Sequence, residues 1–217
     1  MSSENWPLSQ DPESPVIISR SLVEDPSNLA FVVLDDDGDW FISDGNEFSE
    51  DMEENKDAFG ALPLREAVEL IPELAVLAGL PTGMAADWDP ERRSWLLSSV
   101  ADSDDDEEDL LVRAARLAAW THPGSPLEEV QVSTELAEIS TDPAAPARAV
   151  RQVVREADGS WLLVGFQVPE NEDFEVEALE MEHAVTLYPD VALVLSAAPG
   201  QVYDRPSADA PWELVEG

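Results

Sequence analysis

Acidic side chains supply most of the potential chemistry in this sequence. The 217 residues include 48 Asp and Glu but only 11 Lys and Arg, so the formal net charge is 11 − 48 = −37. The run "DDDGD" (35–39) could suggest a calcium loop, which needs oxygen ligands at positions 1, 3 and 5 and Gly at position 6. Here Gly38 separates Asp37 from Asp39, a spacing typical of a β-hairpin tip. We therefore predict no metal site.

Nucleophilic catalysis has little support in the sequence. There is no cysteine, no Gly-x-Ser-x-Gly pattern and no Gly-rich phosphate loop. We expect His122 and His183 to be capping or solvated residues, since neither belongs to a Ser-His pattern. Pairs of carboxylates could serve a hydrolase, but with 48 acids such pairs are inevitable. We predict a protein that is not an enzyme, with no catalytic residues and no cofactor, and keep a carboxylate-based hydrolase as a less favoured alternative.

Two acidic segments at comparable places are the candidate binding sites. Each could form a negative surface for a basic partner, with Trp88, close to Arg92 and Arg93 in sequence, as an aromatic anchor. An alternative is that the acids only keep the protein soluble or adapt it to salt, as in an acidic structural or regulatory protein. The predicted partner-binding residues are Asp44, Glu47, Glu50, Asp51, Glu53, Glu54, Asp57, Trp88, Glu170, Glu172, Asp173, Glu175 and Glu177.

The charge also limits the classes of partner. A chain this acidic is repelled by nucleic acid and by anionic membranes, so we expect neither as a partner. We expect a basic protein instead, bound with a strong dependence on salt. The first fifteen residues do not form a signal peptide, and no apolar run is long enough to span a bilayer. We therefore predict a cytoplasmic protein; the sequence leaves its oligomeric state open.

An internal repeat organises the chain. The hairpin signal at 37–40 returns at 158–161, an offset of 158 − 37 = 121. The segment 67–83 matches 184–200, including a central proline and a final glycine, at an offset of 189 − 72 = 117. The same offset places Trp95 on Trp212. Landmarks in the same order indicate a duplication.

The repeat predicts an α+β fold made of two tandem β-β-β-α-β modules joined by a connecting helix. The predicted strands are 16–19, 29–34 and 40–43, then 130–133, 149–156 and 161–168. We place a flexible N-terminus at 1–14, the first module at 15–100, an acidic run with the connecting helix at 101–124, and the second module at 125–217. Within the linker, 106–120 is the predicted helix.

Two further features concern packing. Apolar residues at the three-to-four spacing of a helix run from Leu64 to Ala78, interrupted by Pro72, as Pro189 interrupts the second copy. We expect a kink, or two short helices with proline opening the second. We also expect four tryptophans to be core residues: Trp40, Trp95, Trp161 and Trp212.

The first copy resembles a known bacterial family. The residues that carry the resemblance are a strand ending in Ser, the hairpin Asp-Gly-Asp-Trp, and the runs "IPEL" (71–74) and "LPTGMAA" (80–86) before a Trp strand. They are similar to a family of immunity proteins of polymorphic toxin systems, formerly a domain of unknown function. The resemblance covers about 15–97 and, more weakly, 128–215, where "AAPG" replaces "LPTG". It implies non-enzymatic neutralisation of a toxin and brings no catalytic residues.

Overall fold

The protein has an α+β fold with two β-sheets and few helices, as predicted. The computed structural model describes residues 6–8, 10–45, 58–100, 116–168 and 174–216. The chain divides into two compact units, of which the first comprises 1–100 with 139–145 and the second 101–138 with 146–217.

The sheet of the first unit has seven strands in the order β4-β1-β3-β2-β5-β6-β8. Two helical pairs complete the unit: the helix Arg20–Glu24 with the 3₁₀ helix Pro26–Asn28, and the helix Leu64–Leu70 with the 3₁₀ helix Pro72–Leu77. The strands are β1 (Pro15–Ser19), β2 (Phe31–Leu34), β3 (Trp40–Ser43), β4 (Phe59–Pro63), β5 (Met84–Asp89), β6 (Ser94–Ser99) and β8 (Glu138–Ser140).

The sheet of the second unit has six strands in the order β11-β7-β10-β9-β12-β13. Its helical elements are the helix Thr134–Ala137, and the helix Met181–Leu187 followed by the 3₁₀ helix Pro189–Val194. The strands are β7 (Glu129–Ser133), β9 (Val150–Arg155), β10 (Trp161–Gly165), β11 (Val176–Glu180), β12 (Gln201–Asp204) and β13 (Glu213–Glu216).

Each sheet contains one parallel pair, and the two pairs have the same register. Val16 of β1 lies opposite Trp40 of β3, and Val130 of β7 lies opposite Trp161 of β10. In each sheet an edge strand then pairs antiparallel with the first strand: β4 with β1, and β11 with β7. Parallel neighbours need a crossover connection. Here it contains the short helix that follows the first strand and the strand that pairs antiparallel with β3 or β10, namely β2 or β9.

The predicted hairpin tips are confirmed. Gly38 and Gly159 have φ of 85° and 96°, in the left-handed region that a glycine adopts without steric cost. The amide of Gly38 donates to the carbonyl of Asp35, and the amide of Gly159 donates to that of Glu156. This is a type I turn followed by a left-handed residue, a common three-residue hairpin loop.

The predicted role of the prolines is also confirmed. In both units a seven-residue helix ends two residues before a proline, at Leu70 or Leu187. A 3₁₀ helix then begins at that proline, Pro72 or Pro189. A proline has no amide to continue the first helix, but its fixed φ suits the first position of the next one.

The predicted order of strands and helices is incomplete. Each unit has an additional strand, β4 or β11, before the main helix, and ends in a two-strand hairpin rather than one extended stretch. Each also has a short helix after its first strand. β4 and β11 lack the alternation of buried and exposed residues that marks a strand in sequence, and they form by pairing with a distant strand.

The predicted tryptophan core is confirmed at three positions out of four. Trp40, Trp95 and Trp161 are buried, whereas Trp212 is only half-buried. The helical stripe also packs as predicted, with Leu64, Ala67, Val68, Ile71 and Leu74 all buried. Its last members, Ala75 and Ala78, are half-buried.

The segments outside the two predicted modules are partly described. Leu8 is buried, and the carbonyls of Pro12 and Ser14 accept hydrogen bonds from the first amides of the helix Leu64–Leu70. Of the predicted connecting helix, residues 116–119 are helical and 106–115 lie outside the described residues. Within the described ranges, no helix has the length and apolar character needed to cross a membrane.

Candidate functional site

The two predicted acidic segments leave the sheets at corresponding places. The first connects β3 to β4 and the second connects β10 to β11, so each joins the middle of a sheet to its edge. Nine of the predicted partner-binding residues lie outside the described residues: Glu47, Glu50, Asp51, Glu53, Glu54, Asp57, Glu170, Glu172 and Asp173.

The described acids of the second segment are not all loop residues. Glu175 is exposed, and its backbone carbonyl accepts a hydrogen bond from the amide of Thr134. Glu177 is half-buried within β11, opposite Val132. Glu180 and Glu182, the next acids along the chain, lie at the end of β11 and in the following helix. The second loop is therefore shorter and less acidic than the sequence predicts.

A carboxylate lies at the base of the first loop. The amide of Asp44 lies 3.4 Å from the hydroxyl oxygen of Ser19, and its carboxylate accepts a hydrogen bond from the hydroxyl of Ser21. Ser19 is buried, as is Ser43 beside it. Asp44, a predicted partner-binding residue, is therefore half-buried and held within its own unit.

The second unit also has a carboxylate at the base of its loop, but this one belongs to the short helix Thr134–Ala137 and not to the end of a strand. The amide of Gly165 donates to the hydroxyl of Ser133 (3.0 Å), as that of Asp44 does to Ser19. Gly165 has no side chain, and Glu135, from the short helix, accepts the hydrogen bond of Ser133 instead (2.9 Å). A Cβ atom at Gly165 would lie 2.3 Å from a carboxylate oxygen of Glu135. Each unit thus has room for one carboxylate at the base of its loop.

Trp88 is half-buried rather than a freely exposed anchor. Its ring packs against that of Trp95 at 4.9 Å between centroids, at an angle of 52°. Its predicted neighbours are engaged elsewhere: Arg92 pairs with Asp89, and Arg93 pairs with Glu73. Trp88 therefore covers the core of the first unit and offers only part of its ring to a partner.

The arginines are used internally. Each of the nine described arginines has a carboxylate or backbone carbonyl within its own unit as a partner. The pairs are Arg20 with Phe59, Arg65 with Glu13, Arg92 with Asp89, Arg93 with Glu73, Arg116 with Glu180 and Glu182, Arg148 with Leu136, Arg151 with Val168, Arg155 with Glu128, and Arg205 with Asp190.

One cluster of charged groups, found within the described part of the second unit, was not predicted. Arg116 pairs with both Glu180 and Glu182; burial disfavours its charged form, but the two carboxylates outweigh burial and raise the pKa of Arg116. His183 is buried beside them, with Nδ1 3.8 Å from Glu180 and Nε2 3.9 Å from Glu182. The ligand atoms of these three side chains lie within 4.8 Å of one another, close enough for a metal ion, but the guanidinium of Arg116 already pairs with both carboxylates.

Both histidines have packed environments. The expectation of a solvated or capping residue is wrong for His183, which is 2% exposed. His122 is half-buried and stacks edge-on against Trp120 at 4.9 Å. The only sequence signal for the cluster was Glu-x-Glu-His at a helix start, which is uninformative in so acidic a chain.

No family model, curated protein or solved structure matches this chain. The resemblance to immunity proteins therefore remains an expectation that rests on the motifs of the sequence. The function has to be inferred from the charges and surfaces of the protein itself.

Proposed function

We propose that this is a non-enzymatic, immunity-type protein that binds and neutralises a basic toxin effector through acidic surfaces. The observation that carries the proposal is the use of the basic residues. All nine described arginines have intramolecular partners, while the chain as a whole carries a formal charge of −37. The remaining acids have too few cations within the chain to balance them, and a cationic partner would supply those charges.

We further propose that the two units are copies of one module. Several details beyond strand order support this. Trp95 donates its indole hydrogen to the carbonyl of Glu73, and Trp212 donates to that of Asp190, both at 3.1 Å. The amide of Gly83 bonds the end of β2, and that of Gly200 bonds the end of β9. Hydrogen bonds between different parts of the first unit recur in the second, between residues whose numbers are 114 to 121 higher. This recurrence favours duplication over convergence.

Binding would proceed in two stages. The net charge attracts a cationic partner from a distance and speeds the encounter, an effect that falls as salt shortens the Debye length from about 8 Å at physiological ionic strength. Apolar contacts and hydrogen bonds made after docking then set the lifetime of the complex. Covering a cationic active site would block a toxin without any chemical step by this protein.

The test is a pull-down from lysates that contain candidate toxins, at low and high salt, with a charge-matched pair of variants. The loop variant replaces Glu47, Glu50, Asp51, Glu53, Glu54 and Asp57 by the corresponding amides. The control variant makes the same change at six exposed acids elsewhere: Glu24, Glu69, Glu91, Glu129, Glu156 and Asp209.

We expect the wild type and the control to retain a basic protein at low salt and release it at high salt, and the loop variant to retain much less. Equal retention by both variants would mean that net charge alone attracts the protein. Absence of any salt-sensitive basic partner would favour the alternative, an acidic protein whose charge serves solubility or salt adaptation.

A further inference from the structure

The two sheets differ at one edge. In the first unit β6 is followed by β8, contributed by the segment 138–140. In the second unit the strand at the corresponding position, β13, is the last in the sheet, and no described strand lies beyond it. A strand at a sheet edge presents unpaired amides and carbonyls that can pair with another strand.

Corresponding residues of β6 and β13 differ in exposure. Leu97 of β6 lies opposite Ala86, and Leu214 of β13 lies opposite Tyr203, which is the same place in the register. Leu97 is fully buried, whereas Leu214 is 52% exposed and Val215 beside it is 59% exposed. Consecutive paired residues point to opposite faces, so Leu214 lies on one face of β13 and Glu213 on the other. The register shifts between Val202 and Tyr203, which makes Val215 the extra residue of a bulge.

The charge of the β13 edge indicates which kind of strand could bind there. Leu214 and Val215 lie between Glu213 and Glu216, and Glu213 lies opposite Asp204 of β12. A second copy of the chain would bring the same acids against them, with −37 on each molecule. A strand that alternates apolar residues with Lys or Arg would cover Leu214 on one face and place its cations beside Glu213 on the other.

We propose that β13 is a docking edge to which an extended basic segment of the partner adds as a further strand, in the place that β8 occupies in the first sheet. This inference rests on the proposed function, which supplies the basic partner, and specifies how part of it is recognised. Backbone pairing provides affinity in such complexes, and the side chains on each face provide specificity.

The test uses a capped peptide, Thr-Lys-Val-Arg-Val-Lys-Thr, and a control peptide with the same sequence and charge whose four central amides are methylated. Methylation removes the donors on both edges of the peptide strand but keeps the cations. We expect the parent peptide to bind the full chain at least about tenfold more tightly than the control and to slow hydrogen exchange at residues 213–216. Equal affinity of the two peptides, or unchanged exchange at 213–216, would overturn the proposal.

A pair of variants locates the binding. Leu214→Lys places a like charge against the peptide, and we expect it to weaken binding about tenfold. Leu193→Lys makes the same substitution at a residue that is 76% exposed on a 3₁₀ helix, and we expect less than about a twofold change. Similar losses for both variants would overturn the proposal. If β13 fails these tests while the pull-down still captures a salt-sensitive basic protein, the inhibitor function stands without strand addition.

Discussion

At the scale of single residues, the second unit is stabilised by buried polar groups that have no counterpart in the first. Tyr188 stands where the first unit has Ile71, and its hydroxyl donates to the carbonyl of Leu136 at 2.5 Å. The guanidinium of Arg148 lies 6.0 Å from the centroid of the same ring and bonds the same carbonyl. Buried polar groups of this kind stabilise only while every partner is present.

Tyr188 should make the second unit sensitive to alkaline pH. Burial raises the pKa of Tyr188 from 10.0 to about 12, so ionisation favours the unfolded state between these values. Its contribution is fully present below pH 10 and is lost as pH rises toward 12, by up to about 2–3 kcal/mol. In Tyr188→Phe we expect a loss of about 1 kcal/mol at neutral pH and a weaker decline above pH 10, measured by urea unfolding.

The matched control is Tyr203→Phe, which alters the other tyrosine of the second unit and should keep the alkaline decline of the wild type. If Tyr188→Phe retains the full decline as well, another group is responsible for it.

Arg205 is the second residue with a large predicted effect. It is 4% exposed, pairs with Asp190, donates to the carbonyls of Val150 and Ala208 at 2.7 Å, and lies 4.3 Å from the ring centroid of Trp212. Replacing it by methionine keeps much of the volume but leaves these acceptors without a donor. We expect a loss of about 2–3 kcal/mol in the free energy of unfolding, because the carbonyls of Val150 and Ala208 lose a charged hydrogen-bond donor.

Arg92→Met provides the comparison, because Arg92 is 70% exposed and forms only a surface pair with Asp89. We expect a change below about 0.5 kcal/mol. Comparable losses in calorimetry for the two variants would show that the buried network adds nothing beyond a surface pair.

At the scale of elements, the two units place a carboxylate at the base of the loop in two different ways. At the base of the acidic loop the first unit combines Ser21 with Asp44, and the second combines Glu135 with Gly165. The carboxylate comes from the strand end in one unit and from the short helix in the other. The proposed duplication would account for this paired exchange, since copies of one module diverge around a shared local geometry.

This exchange predicts a double-mutant result. Gly165→Asp alone should cost about 1–2 kcal/mol, because the new carboxylate repels that of Glu135 and forces it to give up its hydrogen bond with Ser133. Adding Glu135→Ser reproduces the combination of the first unit and should recover most of that loss. Additive effects of the two substitutions in chemical denaturation would contradict this account of the loop base.

At the scale of the whole molecule, charge repulsion opposes folding. With −37 on 217 residues, the compact state brings like charges together, and salt screens them. We expect the midpoint of thermal unfolding to rise by about 5 °C between about 20 mM and about 0.5 M NaCl, equivalent to roughly 1–2 kcal/mol. Scanning calorimetry over this range measures it, and a midpoint that falls with salt would mean that the internal ion pairs dominate.

The sequence determined the local features of this fold. The offsets of 121 and 117 located corresponding hairpins and helices, Asp-Gly marked the turns with positive φ, and Pro72 and Pro189 opened the 3₁₀ helices. Each of these depends on the conformational limits of one or two residues, which sequence expresses directly.

Tertiary structure alone decided the rest. β4 and β11 become strands by pairing with β1 and β7, and β8 by joining the end of the first sheet. The cluster of Arg116, Glu180 and Glu182 and the exposure of Leu214 likewise depend on neighbours that are far away in sequence. A short segment without hydrophobic periodicity does not specify its own structure, so its conformation and burial are set by the strand it pairs with.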